Sequence, residues 1–155
     1  MLIGYFLLSA LIVGLDQWLK FWIVANLELG EVQNLIPNIL SLTYIQNTGA
    51  AWSILEGQMV FFTIITTIAG IVVTYLLIRY RQENKFLTIG LALVLAGAIG
   101  NFIDRVRLNY VVDMFQTDFM NFPIFNVADM SLVIGVGLIF IYTLFDEQMK
   151  GNKHE

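Results

Sequence analysis

The chain has 155 residues, 58% of them hydrophobic and only 13% charged, and a mean hydropathy of +0.77 puts it outside the range of soluble proteins. A formal charge of −4 with no cluster of Lys or Arg excludes nucleic acid as a partner. The lack of cysteine, and a lone histidine (His154) in the polar tail, remove thiolate nucleophiles, His-dependent triads and the HExxH zinc site, so neither metal nor cofactor is expected.

This length accommodates about four spanning helices of ~20 residues with modest loops, and predicts one membrane-embedded domain over residues 1–155. The first apolar run, 2–25, is interrupted by Asp16, Gln17 and Lys20. It has no basic leader and no small-residue cleavage site, so it is expected to stay as a helix rather than be removed as an export signal. Asp16 and Lys20 stand at i,i+4, salt-bridge spacing that lowers the cost of carrying both near a membrane border; a direct functional role is the other reading.

Residues 26–57 make the first long loop. Its stretch Ile39, Leu42, Thr43, Tyr44, Ile45 is β-branched, apolar or aromatic and runs into Asn47-Thr48-Gly49, so a small sheet is expected, with 27–36 or 117–122 as short surface helices or flaps. Asn47 and Gly49 suit a turn because both tolerate positive φ, although the Asn47 amide could also orient a peptide.

Apolar runs at 58–78, 86–103 and 127–145 complete the prediction: a mainly α integral membrane protein with four transmembrane helices, a small extracytoplasmic β-sheet and a short surface helix. Arg79, Arg81 and Lys85 in the loop 79–85, with Lys150 and Lys153 in the tail 146–155, outnumber Lys20, Arg105 and Arg107. That bias puts both termini in the cytoplasm and the loops 26–57 and 104–126 outside. Within the third helix, Gly97 and Gly100 allow close helix approach or leave room for a lipid chain. Asn101 and Arg105 share a face, where the guanidinium could hold an anionic lipid or substrate carbonyl, or pair with Asp104 or a loop carboxylate. Residues 109–113 are expected to add a strand to the sheet.

Asp113 and Asp129, sixteen positions apart, interrupt apolar sequence at neighbouring membrane borders. An ionised carboxylate near hydrocarbon costs at least ~2.5 kcal/mol, so each is a functional candidate. When two carboxyls share a site, repulsion and desolvation leave one protonated and one ionised near neutral pH, which supplies an acid and a base together. The competing reading makes them separate caps, since Asp in a first turn complements the helix dipole. Asn126, three positions before Asp129, reads equally as an N-cap or as a donor to the dyad or a substrate backbone.

The ordered set Asp16-Gln17-x-x-Lys20, Asn47-Thr48-Gly49-Ala50-Ala51-Trp52, Gly97-Ala98-Ile99-Gly100-Asn101-Phe102-Ile103-Asp104-Arg105, Val111-Val112-Asp113 and Phe125-Asn126-Val127-Ala128-Asp129 resembles lipoprotein signal peptidase, the bacterial signal peptidase II. Trp52, Ala96, Met114 and Met130 depart from the commonest family residues, but no carboxylate or Asn does. The resemblance implies an aspartic endopeptidase of the bacterial cytoplasmic (inner) membrane. It implies cleavage of diacylglyceryl-modified prolipoproteins before the lipidated lipobox Cys and inhibition by globomycin; a monomer in contact with membrane lipid is expected. It carries the catalytic pair onto Asp113 and Asp129, and the supporting positions onto Asp16, Lys20, Asn47, Gly49, Asn101, Arg105 and Asn126. Two rival classes remain from the residues alone: a small four-helix proton-coupled transporter using Asp16, and a serine/lysine peptidase using Lys20 with Ser41 or Ser53.

Overall fold

The computed structural model describes residues 2–49 and 57–151. Ala50, Ala51, Trp52, Ser53, Lys153 and His154, all invoked above, lie outside the described residues. In chain order the elements are α1 (Leu2–Asn26), β1 (Val32–Ile36), β2 (Leu40–Asn47), α2 (Met59–Arg79), α3 (Lys85–Leu108), β3 (Val111–Thr117) and α4 (Val127–Gly151). All four helices are long and apolar enough to cross a membrane, which in α4 applies to Val127–Phe145.

Helix α3 is the axle of the bundle. In its most apolar window 56% of residues are buried inside the molecule, against 11% in α1 and in α2, which leave many large apolar side chains exposed. Small residues make this possible. Ala92, Ala96, Gly97, Ala98 and Gly100 are all buried in α3 and let neighbouring backbones approach closely. Ser9 donates to the Ala92 carbonyl at 2.7 Å and Gln17 to the Gly100 carbonyl at 3.2 Å, so α1 runs parallel to α3 at a constant offset of 83 residues. Helix α4 runs the other way: Gly90 of α3 lies against Gly135 and Gly97 against Ala128.

The C-terminal ends of α1 and α3 and the start of α4 thus meet at one end of the bundle, where the sheet closes it. Its order is β1-β2-β3, antiparallel throughout. Pro37 and Asn38 make the β1–β2 turn, with Asn38 at φ 61° and the Ile39 N–H bonded to the Ile36 carbonyl at 3.0 Å. Beneath the sheet Ile23, Leu27, Tyr44, Val112 and Met114 form a buried apolar cluster.

The structure differs from the sequence reading in three places, one of which is helix α4, which runs on to Gly151 past the expected 145. Residues 32–36 are strand β1, and 117–122 finish β3 and enter a bend, so the described residues contain no short surface helix. Pairing of Val32, Gln33 and Asn34 with Thr43, Leu42 and Ser41 satisfies backbone that a short isolated helix would leave to water. Helix α3 continues to Leu108, five residues past the expected 103, because α1 provides partners for its polar last turns. It stops where Asn109 adopts φ 61° and returns its N–H to the Arg105 carbonyl.

A Cβ on Gly97 would overlap the Ala128 carbonyl and the Leu132 side chain, whereas one on Gly4 would meet nothing within 4 Å. Gly97→Ala is therefore expected to lower stability by about 1–3 kcal/mol through overpacking. Gly4→Ala should be neutral. Thermal unfolding in detergent checks both, and equal melting temperatures would contradict this packing.

Candidate active site

Strand β3 leaves α3 through the Asn109 turn and carries Asp113 into the end of the bundle, where it is 2% exposed. An irregularity in the β2–β3 register between Leu42 and Ile45 lies opposite this point, and such bulges re-aim side chains. The chain then turns back: Phe125 accepts from the N–H groups of Met114 and Phe115 at 3.0 and 2.8 Å, which delivers Asn126 beside Asp113. Asn126 opens α4. Its side-chain oxygen accepts the Asp129 N–H at 2.9 Å while the Asp129 carboxylate accepts the Asn126 N–H at 3.2 Å, a reciprocal capping box that fixes the Asp129 rotamer.

One asparagine therefore holds both carboxylates. The Asn126 amide donates to Asp113 Oδ1 at 2.7 Å, and the same residue brackets Asp129 through its oxygen and its backbone. The other oxygens have their own donors: Asn47 to Asp113 Oδ2 at 2.8 Å, and Asn101 to Asp129 Oδ1 at 2.7 Å. Asn47 also accepts the Gly49 N–H at 2.9 Å, so it makes the expected turn and reaches the site as well. Burial first, and then the charge of Asp129, push the Asp113 carboxyl up to about 7, against the opposing pull of the Asn47 and Asn126 donors.

Both aspartates face a cavity of about 500 Å³ shared with Asn47, Gly49, Asn101 and Arg105. Its other walls are apolar: Val111, Phe122, Pro123, Ile124 and Phe125 on the loop side, and Leu132, Val133 and Ile134 on α4. Val133 and Ile134 are also largely exposed on the outside of the bundle, so the groove runs out along the apolar face of α4. Arg105 stands at the rim with its guanidinium carbon 5.4 Å from the Phe62 ring centroid and its buried Nε without a hydrogen bond. It makes no ion pair among the described residues: Asp104, one of its expected partners, is bonded to Lys20 instead, at 2.9 Å.

Asp16 and Lys20 do not line this cavity; they lie behind it. Lys20 pairs with Asp16 at 2.9 Å, as the i,i+4 spacing predicts, and donates to Asn101 Oδ1 at 3.1 Å. Two residues that the site reading left out complete the cluster. Asp104 is the second carboxylate on Lys20, and the Gln17 amide bonds Asp16 and Asp104 at 3.2 and 2.9 Å. Their signal was in the sequence, because Gln17 precedes Lys20 and Asp104 follows Asn101 by three residues each, the i,i+3 spacing that puts side chains on one helix face. Among the described residues the serine/lysine alternative finds no support: Lys20 is engaged by two carboxylates, and Ser41 hydrogen-bonds Asp118 at 2.7 Å.

Spanning helices around an apolar groove headed by two aspartates, Asp113 buried and Asp129 half-buried, fit the class of integral membrane enzymes. The family model for signal peptidase (SPase) II matches residues 8–145. The lipoprotein signal peptidase of Enterococcus faecalis is 62% identical over 96% of this chain and 92% of its own length. That of Latilactobacillus sakei is 56% identical over 94% and 96%. A bacterial membrane enzyme solved by the in meso method at 2.3 Å superposes with a TM-score of 0.91 at 44% identity, covering 95% of this chain and 91% of that one. The chain belongs to the signal peptidase II family and is a multi-pass membrane protease.

Removing Lys20 would strand two carboxylates, each at most 2% exposed, without a counter-charge. Lys20→Met is expected to cost about 3–5 kcal/mol, the usual penalty for breaking a buried pair from one side. Thermal or denaturant unfolding measures it, and a melting temperature at the wild-type value would refute the pairing.

Proposed function

We propose that this chain removes the signal peptide from diacylglyceryl-modified prolipoproteins by cleaving before the lipidated lipobox Cys, with Asp113 and Asp129 acting as an aspartic dyad on water. The observation that carries the reading is the single asparagine, Asn126, that bonds both carboxylates at the head of one apolar groove. Asp113 pushed up to about 7 fits a pair that holds one proton near neutral pH.

The ionised carboxylate takes a proton from water, whose oxygen attacks the scissile carbonyl carbon, while the protonated carboxyl donates to the carbonyl oxygen. The tetrahedral adduct then collapses. As the C–N bond breaks, a hydroxyl of the adduct returns its proton to the ionised carboxylate and the departing cysteine amine receives the proton held by the other, which leaves the pair with one shared proton. Asn47 and Asn101 keep each carboxylate turned into the cavity. Arg105, with an uncommitted buried Nε at the rim, is suited to a substrate carbonyl or an anionic lipid group.

The groove fits such a substrate. A signal helix and two acyl chains prefer hydrocarbon, and Leu132, Val133 and Ile134 offer an apolar wall continuous with the outside of α4, so entry is lateral from the bilayer. A globomycin-type macrocyclic peptide is expected to occupy the same cavity. The sheet end is assigned to the outer face and both termini to the cytoplasm, on the strength of Arg79, Arg81 and Lys85 at the opposite end. The monomer suffices, because both aspartates and all their donors come from one chain. The transporter reading has nothing in its favour: both Asp16 oxygens are bonded inside the protein and the residue is fully buried.

Asp113→Asn and Asp129→Asn, made singly, are each expected to lower kcat by roughly 10²–10⁴-fold on a lipidated pre-protein carrying a lipobox. Retained cleavage in either variant sinks the dyad. The alkaline side of the pH profile offers a second check. As pH rises through about 7, Asp113 loses its proton and the pair loses its acid, so turnover should fall. Asn47→Leu removes a donor that favours the ionised form, which raises the Asp113 value further and should move that fall to higher pH. A shift to lower pH would contradict the assignment.

A further inference from the structure

Asp16 and Asp104 do more than neutralise Lys20. Asp104 Oδ2 accepts the backbone N–H of Val112 at 3.1 Å, and Val112 immediately precedes Asp113. Asp16 Oδ1 accepts the backbone N–H of Ala128 at 2.9 Å, and Ala128 immediately precedes Asp129. The two bonds are equivalent in kind: a buried carboxylate on a helix takes the N–H one residue before a reactive aspartate. Lys20 Nζ lies 2.9 Å from Asp16 Oδ2 and 2.9 Å from Asp104 Oδ2, and Gln17 bridges the same two carboxylates, so the two anchor points are tied to each other.

We infer that Asp16 and Asp104, joined by Lys20 and Gln17, are positioning residues that set the separation of Asp113 and Asp129. This rests on the dyad reading above. A pairing that served only to carry Lys20 into a membrane segment would be complete with Asp16 alone. The second carboxylate and the two backbone bonds are then unexplained, whereas a spacer between β3 and α4 requires both. The Ala128 N–H is one of the orphan donors of a helix start, usually satisfied by the local cap. Here Asn126 caps Asp129 and leaves Ala128 to a side chain from α1. Helix α3 makes room for that side chain: a Cβ on Gly100 would lie 2.8 Å from Asp16 Oδ2.

The separation of two carboxyls that share a proton and a water is sensitive to small shifts, and a displacement of ~1 Å can cost ~100-fold in rate. The clamp acts on geometry near the dyad and meets the cavity lining only where Lys20 bonds Asn101, so loss of Asp104 or Gln17 should appear in kcat and spare KM. The test uses the purified full chain and a lipidated lipobox pre-protein. Asp104→Ala is expected to lower kcat by about 100-fold with KM within about twofold. Asp104→Asn, which keeps an oxygen for the Val112 N–H, should recover a large part of the loss. Ser9→Ala removes the α1–α3 bond to the Ala92 carbonyl at the far end of the same interface and should leave kcat unchanged. If Asp104→Ala fails to fold, Gln17→Met replaces it, with an expected kcat loss of about tenfold. Unchanged kcat in the folded variants, a loss confined to KM, or no recovery in Asp104→Asn would overturn the clamp. Asp113→Asn in the same assay separates the two readings: if it still cleaves, the dyad itself falls, whatever the clamp variants do.

Discussion

The arrangement depends on one buried ammonium group. Lys20 is 3% exposed and lies between two carboxylates that are themselves inaccessible. Taking three charges out of water is expensive, and a net charge of −1 in the cluster is tolerable only because every remaining oxygen finds a donor. Those donors are the structural content of the cluster: Gln17, and the backbone N–H groups of Val112 and Ala128. The desolvation cost is offset only when α1, α3, β3 and α4 are in register together. The cluster is thus better understood as a device for geometric specificity than as a source of stability.

The same constraint explains the glycines and alanines of α3. A helix that must contact α1, α2 and α4 at once cannot carry large side chains on its inward faces. Gly90 and Gly97 bring α4 close enough for Asn101 to reach Asp129, while Gly100 clears space for Asp16. Packing among these helices is not driven by removal of apolar surface from water if both alternatives are hydrocarbon. Close backbone contact and interhelical hydrogen bonds such as Ser9 to Ala92 and Ser131 to Leu93 replace it.

The sheet has a different task. Among the described residues it brings non-helical backbone to the bundle, with β2 paired on both sides and β3 paired to β2 and bridged to Phe125. Backbone so satisfied can sit beside an apolar groove at little cost. It can also present Asp113 and Asn47 on adjacent strands at fixed spacing, which a loop alone would do with less rigidity. Burial then does chemical work, raising Asp113 toward neutrality while three asparagines keep the carboxylates oriented.

Much of this was legible in the residues. Hydropathy alone marks four spanning helices, because nothing but ~20 apolar residues satisfies both the bilayer thickness and the backbone. The i,i+4 spacing of Asp16 and Lys20 was enough to expect their ion pair, and two carboxylates in apolar surroundings were enough to single out Asp113 and Asp129. Local pattern could not say which long-range partners complete each group. Asp104 was read as a possible brace for its neighbour Arg105, yet it bonds Lys20, 84 positions away by number, because a helix turns adjacent residues to different faces. The strand at 32–36, where the sequence suggests a short surface helix or flap, has a related reason: its pairing partner, not its own short sequence, decides its conformation. What the sequence determined by itself was the solvent, the helices and the two aspartates proposed as the reactive pair. Only the tertiary structure decided that one asparagine joins the two aspartates and that one lysine sits behind both, since those contacts link residues on elements whose relative placement no local pattern encodes.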